Sequence, residues 1–183
     1  TAAHRLRMMA ARHETVHETR SLKFDGAEID QDNPRTVKLC EVVGYRAEEI
    51  VFLAGSTQAP EEEMALDVYQ TLRVQYPRLR LIVVPRHPER FDEVAVILER
   101  SGVDWQRRSE LSAEKNPRRG QSPEVLLVDT VGELGAWWGA AAIALVGGSF
   151  GNRGGQNMLE PAAYGAAVCF GPNTRNFRDI VAR

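Results

Sequence analysis

Apolar residues fall along this chain in short dense runs separated by longer stretches of helical periodicity. Ile50-Val51-Phe52-Leu53-Ala54, Leu79 to Val84, Val125 to Val128 and Ala142 to Val146 are runs of the kind buried on both faces of a parallel sheet. Val103 to Gln106 and Ala167 to Phe170 predict two further short strands. Between the first two runs, Pro60 and the acids Glu61, Glu62 and Glu63 open a helix, with negative charge set against its amino-terminal dipole. Ala65, Val68, Tyr69, Leu72 and Tyr76 mark the inner face of that helix. Other helices are predicted from Arg35 to Tyr45, ending near Gly44, and from about Phe91 to Ser101, stopped by Gly102. Gly132 to Ala140, about Asn157 to Tyr164, and Asn176 onward complete the set. Trp137 and Trp138 are adjacent, which predicts one buried and one more exposed. Strands alternating with helices at this spacing predict an α/β fold, a Rossmann-like parallel sheet with helices on both faces.

Composition changes little in that picture. The 183 residues are 43% hydrophobic and 26% charged, a globular balance, and suit one large domain or a domain with an appendage. A formal charge of −2 argues against a nucleic-acid partner held by a basic surface. Cys40 and Cys169 lie far apart and form no C-x-x-C pair, so they read as reduced thiols with no metal implied. His13 and His17 share a four-residue spacing but lack an acidic ligand pattern, and read as surface histidines. Residues 1–20, rich in Arg, His and Glu, read as a lead-in from a linker or preceding domain; 21–183 form the folded unit. Ser21 to Gly26 reads as a strand end and turn, and Ser109 to Pro123 as an exposed loop. The start at Thr1 and the stop in mid-pattern at Arg183 are those expected of a piece of a longer protein.

Ligands of open parallel sheets sit beyond the carboxyl ends of the strands. Four segments leave those ends: Gly55-Ser56-Thr57, Pro85-Arg86-His87, Asp129-Thr130 and Gly147 to Asn157, and they are expected to converge on one crevice. Arg86 follows a strand directly, where a guanidinium grips a phosphate bidentately or simply lies on the surface; His87 adds a hydrogen bond or a structural contact. Gly147, Gly148 and Ser149 offer backbone donors and a hydroxyl to an anion, or else form a tight turn. Asn157 and Glu160 have capping-box spacing, yet Pro161 belongs in a first turn and would put Glu160 near the cap, free for a ribose diol. Both readings of that pair stay open. Asp129 and Glu133 are read as strand-end and helix-start residues, and no catalytic triad or metal set stands out.

Taken in order, these motifs resemble a family. Leu22-Lys23-Phe24-Asp25, Ala54-Gly55-Ser56-Thr57 with Glu61-Glu62-Glu63, and Pro85-Arg86-His87-Pro88-Glu89-Arg90-Phe91 come first. Asp129-Thr130-Val131-Gly132-Glu133-Leu134, Gly147-Gly148-Ser149, Gly154-Gly155 with Asn157, Leu159-Glu160-Pro161, and Phe170-Gly171-Pro172 with Asn176-Phe177 follow. From about residue 19 onward the set resembles the carboxyl-terminal half of 3-deoxy-D-manno-octulosonic acid (Kdo) transferase. The resemblance implies a glycosyltransferase of the GT-B type whose carboxyl-terminal domain holds CMP-Kdo. Its amino-terminal domain would hold lipid A precursor and the catalytic base, at the cytoplasmic face of the bacterial inner membrane. Ser56, Thr57, Arg86, His87 and the Gly147-Gly148-Ser149 loop would bind the donor, and Asn157 and Glu160 its phosphate or ribose, with no metal or cofactor. A related transferase using a UDP-sugar and a nonenzymatic Rossmann-like binding domain are the alternatives. The chain departs from the family at Gln58 and Gln156, where histidine is usual, at Met158, usually proline, and at Ala59-Pro60, usually Glu-Gly.

Overall fold

The computed structural model describes residues 6–17, 28–112 and 122–182. Six parallel strands are β1 (Ile50–Thr57), β2 (Leu79–Pro85), β3 (Trp105–Arg107), β4 (Val125–Leu127), β5 (Ile143–Val146) and β6 (Ala167–Cys169). They lie in the order β3-β4-β2-β1-β5-β6. The helices are α1 (Pro34–Val43), α2 (Glu61–Leu72), α3 (Phe91–Ser101), α4 (Leu134–Trp137), α5 (Leu159–Ala163) and α6 (Arg178–Val181). The expected Rossmann-like sheet is thus present. The predicted strand and turn at Ser21 to Gly26 lie outside the described residues, as does 113–121 of the expected loop.

Strand periodicity sorts the apolar runs onto two faces. Val51, Leu53, Ile82, Val84, Leu126, Val128, Ala144 and Val146 point into a core closed by Leu39, Val42 and Val43 of α1 and by Trp137 and Trp138. Their neighbours Phe52, Ala54, Leu81, Val83, Val125, Leu127 and Leu145 point the other way, against Ala65, Leu66 and Tyr69 of α2 and Val94, Ala95 and Leu98 of α3. Both faces are covered, which is why the runs are unbroken in hydrophobicity. Local signals set the helix ends. The Asn33 side chain accepts from the amides of Arg35 and Thr36, Pro34 takes the first helical position, and Gly44 closes α1 in the left-handed region at φ 83°.

The structure differs from the sequence reading at five places. Of the positions expected on the inner face of α2, Ala65 and Tyr69 are buried but Val68, Leu72 and Tyr76 are exposed, because the packed stripe runs through Ala65, Leu66 and Tyr69, and Tyr76 lies beyond the helix. Trp137 and Trp138 are both buried, at 0% and 2% exposure, because their helix, which passes into a 3-10 turn (Trp138–Ala140), is covered on two sides: Trp137 meets Tyr45, and Trp138 lies against Gly55 of β1. Gly55, Ser56 and Thr57 belong to β1 and not to a loop: Gly55 pairs with Val84 and Val146, and the register shifts before Thr57. Gly55 is there for space, since a Cβ on it would lie 2.6 Å from Cζ2 of Trp138. The polar stretch after β3 is no plain solvated loop, for Arg108–Glu110 form a 3-10 turn and Leu111 is buried. Finally, Glu61 and Glu62 are each only 2% exposed, so they do more than face the helix dipole from solvent.

Candidate functional site

From β1 the chain winds to β2 on one side, while β5 flanks β1 on the other. The carboxyl end of β1 is therefore the topological switch point, where doubly wound sheets open a crevice. At that end Ser56 sits at φ 54°, an uncommon conformation for a residue other than glycine, Asn or Asp. Beside it lies a cavity of about 150 Å³ lined by Ser56, Val84 to Arg86, Pro88, Phe91, Thr130 to Gly132 and Leu134. Three of the four expected loops meet in it. The glycine-rich segment after β5 does not line it, but closes over β1 from the opposite side.

Arg86 stands at the cavity with its side chain exposed and, among the described residues, without a hydrogen-bond or ion-pair partner. Its backbone is fixed, because the Arg86 amide donates to the Thr57 carbonyl at 2.9 Å. The turn that follows is fixed too. Arg90 donates two bonds to Glu62, at 3.3 and 3.1 Å, and one to Glu93 at 2.9 Å. Burial works against the Arg90 charge, but the bond to Glu62 and the charge of Glu62 outweigh it and push its pKa above the usual value. His87 is exposed, outside the cavity lining, and its carbonyl accepts from the Arg90 amide at 3.1 Å.

The far wall hangs on two acids. Asp129 accepts from the Ser109 amide and hydroxyl at 2.8 and 2.7 Å and pairs with Arg107 at 3.4 Å. Glu133 accepts from Thr130 Oγ1 at 2.7 Å, Trp137 Nε1 at 3.3 Å and Arg108 at 3.0 Å. Strand-end and helix-start positions are where the sequence put these residues. Their tie to the segment after β3 was invisible in it, since the partners lie about twenty residues upstream.

The first glycine pair is spoken for internally. The Gly147 amide donates to Gly55, extending the β1–β5 ladder, and the amides of Gly148, Ser149 and Phe150 all reach the Glu61 carboxylate. Ser149 is fully buried; its hydroxyl donates to the Val146 carbonyl at 3.1 Å and accepts from the Gly171 amide at 2.7 Å. Thr57 is also fully buried, with its hydroxyl toward the Val84 carbonyl at 3.5 Å. Of the sequence-derived candidates, Ser56 and Arg86 thus share the cavity, whereas Thr57, Gly147, Gly148 and Ser149 do not line it and pack around the end of β1.

Asn157 and Glu160 lie together at the start of α5. Asn157 Nδ2 donates to Glu160 Oε1 at 2.8 Å, and Asn157 Oδ1 accepts from the Leu159 amide at 3.2 Å. Pro161 is the third helical residue, within the first turn, where its missing N–H costs nothing. Asn157 thus sits one residue ahead of the cap position Met158 and holds the first helical amide with its side chain; Glu160 is half-buried with one oxygen engaged by Asn157. Gln58 donates its amide to Glu61 at 3.0 Å, yet its own Oε1 is buried without a partner among the described residues. Those residues also contain no group of three metal-ligating side chains, and no helix long and apolar enough to cross a membrane.

A doubly wound α/β domain with an arginine-bearing crevice at the switch point defines the class: a Rossmann-like ligand-binding domain. No family model matches the chain. It is 40% identical over 164 residues to 3-deoxy-D-manno-octulosonic acid transferase of Bordetella pertussis, covering 88% of this chain and 36% of the relative. With the enzyme of the same name from Haemophilus influenzae it shares 35% over 172 residues, 91% of this chain and 38% of the relative. The chain thus spans little more than a third of these relatives. A crystal structure of the carboxyl-terminal CMP-Kdo binding domain of WaaA from Acinetobacter baumannii superposes with a TM-score of 0.69 at 34% identity, over 81% of this chain and 76% of that one. The chain belongs to the Kdo transferase family and corresponds to its carboxyl-terminal domain.

Proposed function

We propose that this chain binds CMP-Kdo and supplies the donor half of a GT-B enzyme that transfers Kdo to a lipid A precursor. The observation that carries this reading is Arg86. An exposed guanidinium without a partner among the described residues, held by its backbone at the mouth of the switch-point cavity, matches a donor with a single phosphodiester. The remaining oxygen of Glu160 suits a ribose hydroxyl while Asn157 holds the first. In the reaction an acceptor hydroxyl attacks the anomeric carbon of Kdo, the bond to the phosphate oxygen breaks, and CMP leaves. The acceptor proton passes to a base in the amino-terminal half, which also carries the acceptor site and the membrane contact. Arg86 offsets charge on the departing phosphate, a task that elsewhere falls to a metal ion.

Calorimetry with CMP, UDP and NAD tests the reading: CMP binds most tightly. Arg86→Ala weakens CMP roughly tenfold, about 1.4 kcal/mol, as loss of a charge-assisted bond should. Equal affinity for the three nucleotides sinks the donor assignment, and an unchanged CMP affinity in the variant removes Arg86 from it.

A further inference from the structure

The Glu61 carboxylate is nearly inaccessible and holds four backbone amides. Oε2 accepts from Gln58 at 3.0 Å and Gly148 at 2.8 Å; Oε1 accepts from Ser149 at 3.1 Å and Phe150 at 3.3 Å. Successive amides turned to one point make an anion-binding concavity, the arrangement that commonly receives a phosphate. Here an acidic side chain of the same chain fills it. The fit is close: a Cβ on Gly147 would come within 2.7 Å of both Glu61 Oε2 and the Thr57 Cα. No second anion has room there while Glu61 stays.

We infer that Glu61 is a positioning residue, a built-in anion that permanently occupies the amide nest after β5. It thereby locks α2, the end of β1 and the glycine-rich segment into one rigid floor. The donor phosphate is excluded from those amides and is met across the crevice by side chains, Arg86 first. The clause about the donor rests on the CMP-Kdo reading; the occupancy of the nest does not. Glu61 acts through the floor it fixes and touches no reacting atom.

Amide resonances of Gly148, Ser149 and Phe150, followed by 15N NMR, separate the possibilities. In the unmodified chain they stay still on titration with inorganic phosphate and with CMP. In Glu61→Ala the vacated nest captures inorganic phosphate, and the same three amides shift saturably. CMP affinity in that variant falls about tenfold, because the floor beside the cavity loosens. Glu61→Gln, which keeps one acceptor oxygen but turns an amino group toward two of the four donors, falls in the same direction and serves if the alanine variant does not fold. Shifts of the three amides by either ligand in the unmodified chain overturn the inference. So does a Glu61 variant that binds CMP as tightly as the unmodified chain, or more tightly, since the carboxylate would then be a spectator or a competitor. Should the unmodified chain bind no CMP, the donor reading fails while the phosphate titration still judges Glu61.

Discussion

Tyr45 illustrates how much a single polar atom can cost. Its ring, partly buried, packs against the core and meets Trp137 edge-on, with centroids 6.4 Å apart and planes at 84°. Its hydroxyl is buried without a partner among the described residues, and burial above all pushes the phenol pKa well above the usual value. An unpaired buried hydroxyl costs on the order of 1–3 kcal/mol, whereas the ring contact needs no oxygen. Tyr45→Phe is therefore expected to stabilise the fold by about 1 kcal/mol, read as a higher urea midpoint at unchanged slope; a loss of stability would show that the hydroxyl has a partner. Such single-atom facts are out of reach of the sequence, which shows an aromatic residue beside a helix end and no more. The same holds for Glu61. A run of three acids opening a helix looks like a dipole match, and only the approach of a loop nearly ninety residues later reveals the first as a clamp. Arg86 was legible because position alone, directly after a buried strand, argues for exposure at the crevice.

At the level of elements, period and punctuation carried most of the information. Runs such as Leu79 to Val84 are apolar at every position but one and admit only a strand buried on both faces. Pro34 and Gly44 mark α1 to within a residue. The misreading of Gly55 to Thr57 has a plain cause: Gly-Ser-Thr is loop chemistry in most settings. What kept these residues in β1 is the indole of Trp138, which requires a residue without a Cβ at the strand. Gly55→Ala forces that overlap and is expected to destabilise by about 1–3 kcal/mol, measured by chemical denaturation. A neutral result would mean that the 3-10 turn bearing Trp138 moves aside. The second tryptophan is misread for a related reason: neighbours on a helix point in different directions, but here both directions are covered, one by Tyr45 and the other by β1.

Across the whole molecule, the two cores share β1 and β2, so anything bridging the crevice braces both layers at once. Strand order follows from neither periodicity nor capping, and the expectation that all four strand-end segments meet in one crevice holds for three of them. The fourth, the glycine-rich segment, packs on the end of β1 away from the cavity. If CMP bridges these parts, saturation at one hundred times its Kd adds about 2.7 kcal/mol to stability. For a chain of this size that is a rise in Tm of roughly 5–10 °C. UMP at the same concentration should give a clearly smaller rise; an equal one would mean that the base is not read.

The glycine-rich segment also depends on chain that follows β6. Asn173, Arg175 and Asn176 send side-chain bonds to the carbonyls of Gly151, Asn152 and Arg153, at 2.8, 2.6 and 2.9 Å. The amides of Asn173 and Asn176 add bonds to Ser149 and Gly154, each at 3.0 Å. The smallest unit that keeps its shape is therefore Glu61 with two separate stretches, 147–158 and 171–176, and neither stretch is portable alone. A graft of the first into another scaffold would leave a row of carbonyls with nothing to answer them. Cutting the chain just after Cys169 would keep all six strands while unlacing the loop beside the crevice, so in this domain the integrity of the fold and the readiness of the site can be lost separately.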